Sequence, residues 1–195
     1  MSTWQPGQPV TMETERFLLR SLTPEDVDET YLGWWNDAGI QKGFGMQPRG
    51  WTLADAIEHV KSFDNIKRLH LGIYLKESGR LIGFYSVFVD PEVKTSKANI
   101  CIGEKDWQRR GVTNEIAPRM LQFRFEDMGH NLIVGKVVGN NVGAITLYKK
   151  HGFRLVKTKP DPKLQQDGRP LVTSYFMLTR EEWLRQQSAK KTDTG

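Results

Sequence analysis

The 195-residue chain contains one cysteine, Cys101, so no disulfide can form within it and a disulfide-stapled secreted fold is excluded. Cys101 lies inside an apolar run, where packing in a reducing compartment is its expected role. No run approaches the roughly 18 apolar residues of a membrane span. Met1 to Met12 lacks a basic cluster followed by an apolar stretch, so the expected location is cytoplasmic, with no membrane partner. Neither G-x-x-x-x-G-K-[ST] nor G-x-G-x-x-G after a strand occurs, which removes the main kinase and dehydrogenase signatures. The net charge of +5 would suit an acidic ligand, but it includes a polar tail with Lys190 and Lys191. No basic stripe is interleaved with aromatics, so nucleic acid is not an expected partner, and no metal is expected either.

What remains is the balance of a water-soluble globular protein: 38% hydrophobic and 26% charged residues. Residues 1–12 have no periodicity and residues 188–195 are small and polar, so both are expected to be flexible segments around a single domain at 13–187.

Arg16 to Leu22 reads as a strand. Thr23-Pro24-x-Asp26 then supplies an N-cap, a proline at the first helical position and an early acid, predicting a helix to about Trp34. Thr52 caps a second helix, whose Leu53, Ile57, Val60 and Phe63 share one face and which ends near Lys67. Leu69–Leu75 and Arg80–Val89 form a hairpin around Glu77-Ser78-Gly79. A strand at Lys97–Gly103, a helix at Val112–Met128, a strand at Leu132–Val138 and a short helix at Gly143–His151 follow. Phe153–Lys157 and Leu171–Leu178 are closing strands with turn material at Asp167-Gly168, and Thr179-x-x-Glu182 is a capping box for a terminal helix. Pro118 falls inside a predicted helix, so a kink is expected there. The order is that of an α/β fold, a mixed sheet covered by helices.

The segment from Asn99 to Glu115 carries the chemistry: an apolar strand runs into a glycine-containing loop and then a helix. The first amides of a helix have no internal partners and sit at its positive end, where pyrophosphate oxygens can replace the missing acceptors. Gly111 lets the backbone come close, and Arg109 and Arg110 add charge. An ordinary strand-loop-helix joint with glycine at the turn reads the same segment without a ligand.

Gln108-Arg-Arg-Gly-Val-Thr113 resembles the Q/R-x-x-G-x-G/A motif of the GNAT superfamily of N-acetyltransferases. Asn141-Val-Gly-Ala-Ile-Thr-Leu-Tyr148-Lys-Lys-His-Gly152-Phe153 is similar to the family's second signature, N-x-x-A-x-x-x-Y-x-x-x-G-F. Trp34-Trp35-Asn36-Asp37 and Asp167-Gly168-Arg169 resemble its RimJ/RimL-like, ribosomal-protein-acetylating branch. The resemblance implies a mostly antiparallel central sheet with a splayed strand pair, flanked by helices, and acetyl-CoA as co-substrate. It implies that amides from Gln108 through Thr113, including those of Arg109, Arg110, Gly111 and Val112, hold the pyrophosphate. The backbone of Cys101 and Ile102 would bond the pantetheine arm, Asn141 would hold the arm's far side, and Tyr148 would donate a proton to the departing thiolate. Thr113 departs from the family's glycine or alanine and crowds the helix start.

An aliphatic amine with a pKa of about 10.4 is protonated at neutral pH and must lose a proton before attacking a thioester. Glu104, at the strand end beside the loop, is the first candidate for that base, with His130 and Asp106 behind it; a salt-bridged carboxylate is the competing reading of Glu104. Cys101 lacks a histidine partner in the motif and is not an expected acyl carrier. The acceptor site is expected at Tyr31–Asp37, with Trp34, Trp35 and Asp37 foremost, at Gln41–Trp51 and near Asp167. Trp34, Trp35, Phe44 and Trp51 would line a pocket there or serve as core. The acceptor would be a small-molecule amine or a protein N-terminal amine. An inactive CoA-binding sensor is the alternative, and the oligomeric state, a homodimer included, is left open.

Overall fold

The computed structural model describes residues 4–139, 141–166 and 169–192. It is a mixed α/β fold whose eight-stranded, mostly antiparallel sheet is flanked by helices. The chain divides into two compact units, Met1–Val89 with Ala98–Arg119, and Asp90–Lys97 with Met120–Gly195.

In the first unit, β1 (Thr11–Glu13), β2 (Phe17–Ser21), β3 (Arg68–Leu75) and β4 (Leu81–Asp90) pair in sequence as an antiparallel meander. β2 alternates, burying Phe17, Leu19 and Ser21, whereas β3 is buried from Leu69 to Tyr74. A strand covered on both faces does not alternate, and its buried polar side chain, His70, is hydrogen-bonded at both ring nitrogens. Against these strands pack α1 (Glu29–Asn36), α2 (Ala38–Gly43) and α3 (Leu53–Lys61). Their core holds Tyr31, Trp34, Trp35, Ala56, Val60, Phe84 and Cys101.

The helix expected from Thr23 to Trp34 is two pieces. Pro24–Asp26 makes a single 3-10 turn, after which Asp28 accepts from Tyr31 N at 2.8 Å and starts α1 afresh. Asp28 is a second N-cap, and it overrides continuation of the first. Asp37, which ends α1, also opens α2, a helix not expected from the sequence. Thr52 caps α3 with a full capping box, but the helix stops at Lys61 instead of near Lys67.

β5 (Thr95–Ile102) and α4 (Val112–Gln122) run along the chain from one unit into the other. In the second unit the start of β5 pairs in parallel with β6 (Leu132–Val138) at Thr95↔Leu132, Ser96↔Ile133 and Lys97↔Val134. β6 then pairs antiparallel with β8 (Arg169–Thr179), and β8 with β7 (Arg154–Gln166). α5 (Val142–Lys150) and α6 (Arg180–Thr192) complete it, α6 opening on the Thr179–Glu182 capping box. The α-helical run of α4 continues past Pro118, and the irregularity falls later, as a π-helical turn at Phe123–Asp127. Pro118, where a kink or local distortion was expected, lies four residues before the end of the α-helical run, and a π-helical turn follows it directly. Among the described residues no helix is long and apolar enough to cross a membrane.

Candidate active site

The loop between β5 and α4 carries two left-handed residues, Arg109 at φ 62° and Gly111 at φ 77°. A Cβ on Gly111 would meet only Arg16 Nη2, at 3.8 Å, so conformation and not space requires glycine there. Glu115 N donates to Gly111 O at 3.0 Å, the first bond of α4. The amides of Val112, Thr113 and Asn114 precede that bond and have no helical acceptor.

The same turn is anchored from the start of the chain. Glu115 Oε1 accepts from Thr14 Oγ1 at 2.7 Å and from Arg16 N at 2.8 Å, while Oε2 accepts from Arg16 Nε at 2.6 Å. Burial opposes ionisation of Glu115, but these bonds win and hold its carboxyl below the usual range. Arg16 Nη2 also donates to Arg110 O at 3.2 Å, tying the loop itself. The carboxylate in the first turn of α4 is thereby paired with a guanidinium, which weakens its opposition to an incoming anion. Arg109 and Arg110 are exposed, Arg110 lying over the Trp107 ring at 5.6 Å.

At the end of β5, Gln108 Nε2 donates to Ile102 O at 2.9 Å. The Cys101 side chain packs in the core, and burial pushes its thiol up to about 12. A thiol so rarely ionised is a poor nucleophile, consistent with packing. Beyond it, Trp34, Asp37, Gly103, Glu104 and Asp106 share a cavity of about 490 Å³. Trp34 Nε1 donates to Glu104 Oε1 at 3.3 Å, and the Trp34 ring lies so close to Gly103 that a Cβ there would meet it at 2.1 Å. Arg80 pairs with Glu104 Oε2 and bridges to Asp106 at 2.9 Å. Asp37 spends Oδ1 on Gly39 N and Ile40 N, as the cap of α2. The structure thus brings Glu104 together with Trp34 and Asp37, and makes Glu104 a salt-bridged carboxylate.

Trp35, one residue on, faces elsewhere, because successive helical residues are about 100° apart. Its ring stacks on Phe84 at 5.3 Å and an interplanar angle of 10°, and lies 4.8 Å from Trp51. These rings, with Phe44, Arg49, His59, Ser86 and Asn99 among others, line a second cavity of about 560 Å³. Its wall is held by groups the sequence did not single out. Buried Gln41 donates to Trp35 O and to Arg49 O, each at 2.7 Å, and accepts from Arg49 N at 3.0 Å. Ser86 Oγ lies 2.8 Å from His70 Nδ1, and His70 Nε2 lies 2.7 Å from the Tyr31 hydroxyl, all three buried. Burial, aided by Arg68 and Arg49, lowers His59 to about 4, and burial drives His70 well below its ordinary value. No local pattern marks these residues, since they come from α2, α3, β3 and β4.

In the second unit, Tyr148 stacks on Phe176 at 5.1 Å and meets Phe153 edge-on at 4.9 Å. A Cβ on Gly135 of β6 would stand 2.4 Å from Tyr148 Cζ, so that glycine makes the ring's seat. Asn141 caps α5, its Oδ1 accepting from Ala144 N at 3.0 Å. His130, 3% exposed, takes part in a buried polar set: Arg124 Nε donates to Ser96 Oγ at 3.0 Å, and Ser96 Oγ lies 2.8 Å from His130 Nδ1. Its role there is structural. The Asp167-Gly168 turn lies outside the described residues. Among the described residues no group of three or more His, Cys, Asp or Glu is arranged to hold a metal.

A model of the acetyltransferase (GNAT) domain matches residues 16–154. The uncharacterised N-acetyltransferase YoaA of Bacillus subtilis (strain 168) is 22% identical over 175 residues, covering 87% of this chain and 96% of its own. The spermidine N-acetyltransferase from Vibrio cholerae, solved with CoA and spermine, has a TM-score of 0.77 at 18% identity, covering 87% of this chain and 98% of that one. A GNAT-family acetyltransferase from Bacillus anthracis has a TM-score of 0.75 at 18% identity, covering 89% and 100%.

Proposed function

The chain belongs to the GNAT acetyltransferase domain family and is an acyltransferase, and on that premise we propose that it moves the acetyl group of acetyl-CoA to a primary amine by direct attack in a ternary complex. The observation that carries this reading is the loop ahead of α4, with left-handed Arg109 and Gly111 and a first helical turn whose amides lack acceptors. Successive outward amides of this kind form a concave anion seat, and the residues present fit a pyrophosphate.

Bound acetyl-CoA would supply an acetyl group activated as a thioester. Amides from Gln108 through Thr113 would hold its pyrophosphate, with Arg109 and Arg110 adding charge. The backbone of Cys101 and Ile102 would align the pantetheine arm. Ile102 O already accepts from Gln108 Nε2, and a carbonyl oxygen has a second lone pair for another donor. Asn141 would contact the arm's far side through its amide group. Tyr148 would hold a proton at its hydroxyl for the leaving sulfur, so that the thiol departs neutral. Glu104 would take the amine's proton, directly or through water, on lone pairs left over from Trp34 and Arg80.

The RimJ/RimL-like branch and a cytoplasmic site of action belong to the same reading, the branch resting on Trp34-Trp35-Asn36-Asp37. A polyamine, suggested by the name of the Vibrio cholerae neighbour, and a protein N-terminal amine are the two acceptor classes to test first. No observation favours the inactive sensor. Calorimetry with acetyl-CoA, followed by thiol release with a panel of amines, tests the proposal. Binding and amine-dependent thiol release are expected; the absence of heat with acetyl-CoA would overturn it.

A further inference from the structure

We infer that the aromatic cavity of the first unit takes an acceptor amine carried on a flat apolar body that also bears a carboxylate, and that this cavity disfavours polyamines. This deepens, and rests on, the acetyltransferase reading above. The cavity's volume of about 560 Å³ is that of a small-molecule site. Its walls include the near-parallel rings of Trp35 and Phe84, with Phe44 tilted 26° from Trp35 at 5.9 Å. Those rings cover one another, and the lining as a whole, with Phe44, Trp51 and Phe63, favours a flat apolar guest.

The charge of the wall selects further. Arg49 is the only ionised side chain lining the cavity, and no aspartate or glutamate lines it. His59 stays neutral there, held so by burial and by the neighbouring arginines. A polyamine would bring two or more ammonium groups out of water into a site without a counter-charge. Aromatic rings can attract ammonium groups, but the Arg49 guanidinium already covers the Trp51 face at 3.9 Å. Trp51 Nε1 is itself buried, so the charge that this part of the wall offers a guest is that of Arg49. A guanidinium in the lining suits a carboxylate.

Arg49 is also held in place. Gln41 fixes its backbone N–H and carbonyl, so its charge stands on an anchored segment. On the opposite, polar part of the wall, His70 sets Ser86 Oγ, and Asn99 sits on β5 three residues before Ile102. Three strand residues span about 10 Å. An amine bonded to Ser86 or Asn99 is therefore near the strand end assigned to the pantetheine arm. The positive field of Arg49 also disfavours the ammonium form and so favours the free amine that attacks.

The test uses benzylamine, para-(aminomethyl)benzoate and spermidine with the full chain and acetyl-CoA, reading thiol release. The carboxylate-bearing amine is expected to exceed benzylamine in kcat/KM by about tenfold, and spermidine to fall at least about tenfold below both. In Arg49→Gln the ratio of the two aromatic amines should fall to near one. Spermidine equal to benzylamine, or a ratio unmoved in Arg49→Gln, would overturn the inference. Quenching of tryptophan fluorescence by para-(aminomethyl)benzoate, lost in Arg49→Gln, reads the cavity without any donor. No quenching in the unsubstituted protein overturns the inference by itself, whereas missing heat with acetyl-CoA overturns the acetyltransferase reading alone.

Discussion

Gly135 lies directly beneath Tyr148: a methyl group on its Cα would stand 2.4 Å from Cζ and 2.9 Å from the hydroxyl oxygen. The tyrosine ring is seated by that gap and by Phe153 and Phe176, so its hydroxyl is placed by packing as well as by its helix.

Tyr148→Phe should lower kcat by about a hundredfold while leaving acetyl-CoA affinity within about twofold. Gly135→Ala keeps the hydroxyl but displaces the ring, and should lower kcat in the same direction. Steady-state thiol release and calorimetry separate the two quantities, and unchanged turnover in Tyr148→Phe would remove this residue from the chemistry.

Gly111→Ala forces an L side chain to φ 77°, at a cost of about 1–2 kcal/mol. Denaturant unfolding should show that loss, and calorimetry should show acetyl-CoA binding weakened as the amides ahead of α4 turn away. Unaltered binding would mean that this loop does not hold the donor.

Gln41→Leu removes three hydrogen bonds and strands Arg49 N and two carbonyls, for an expected loss of about 2–3 kcal/mol. KM for the acceptor should rise with donor binding unchanged. A rise in both would place Gln41 in general folding rather than in the cavity wall.

Acid stability follows from the buried histidines. His59 and His130 are lowered to about 4 and His70 lies well below its ordinary value, whereas in the unfolded chain all three titrate near about 6.5. Between those limits the unfolded state binds protons that the folded state refuses, so stability falls as pH drops from about 6.5 toward 4 and is unaffected by these groups above 7. Each such histidine contributes at most about 1.4 kcal/mol per pH unit. His130→Gln should flatten the decline measured by urea unfolding at several pH values; an unchanged slope would show that His130 is protonated in the fold.

The loop ahead of α4, proposed to hold the donor, could be placed from the sequence because its elements are local. A strand, Gly111 and a helix start lie within one stretch, and both motif matches fall where the fold puts a loop before α4 and the start of α5. Of the aromatic cavity, Trp35, Phe44 and Trp51 were named as pocket candidates, but His59, Phe84, Ser86 and Asn99 were not, because they come from α3, β4 and β5. Trp34 and Trp35 were expected to act together, yet the turn of α1 sends them to different cavities. Competing caps explain the main local error: Thr23 and Asp28 both suit a helix start, and burial of Tyr31, Trp34 and Trp35 selects Asp28. Gln41 was named only as the start of an expected acceptor segment, and its part in holding that segment comes from a contact eight residues away.

Because one amide side chain moors the segment that bears Phe44, Arg49 and Trp51, the proposed acceptor wall and the proposed donor loop lie in separate stretches of the chain. Residues 42–51 form an exchangeable cassette. On the proposed reading, a replacement that keeps Gln41's two main-chain ties at position 49 but brings other rings or an acid is expected to change which amine is accepted, with the loop ahead of α4 left untouched.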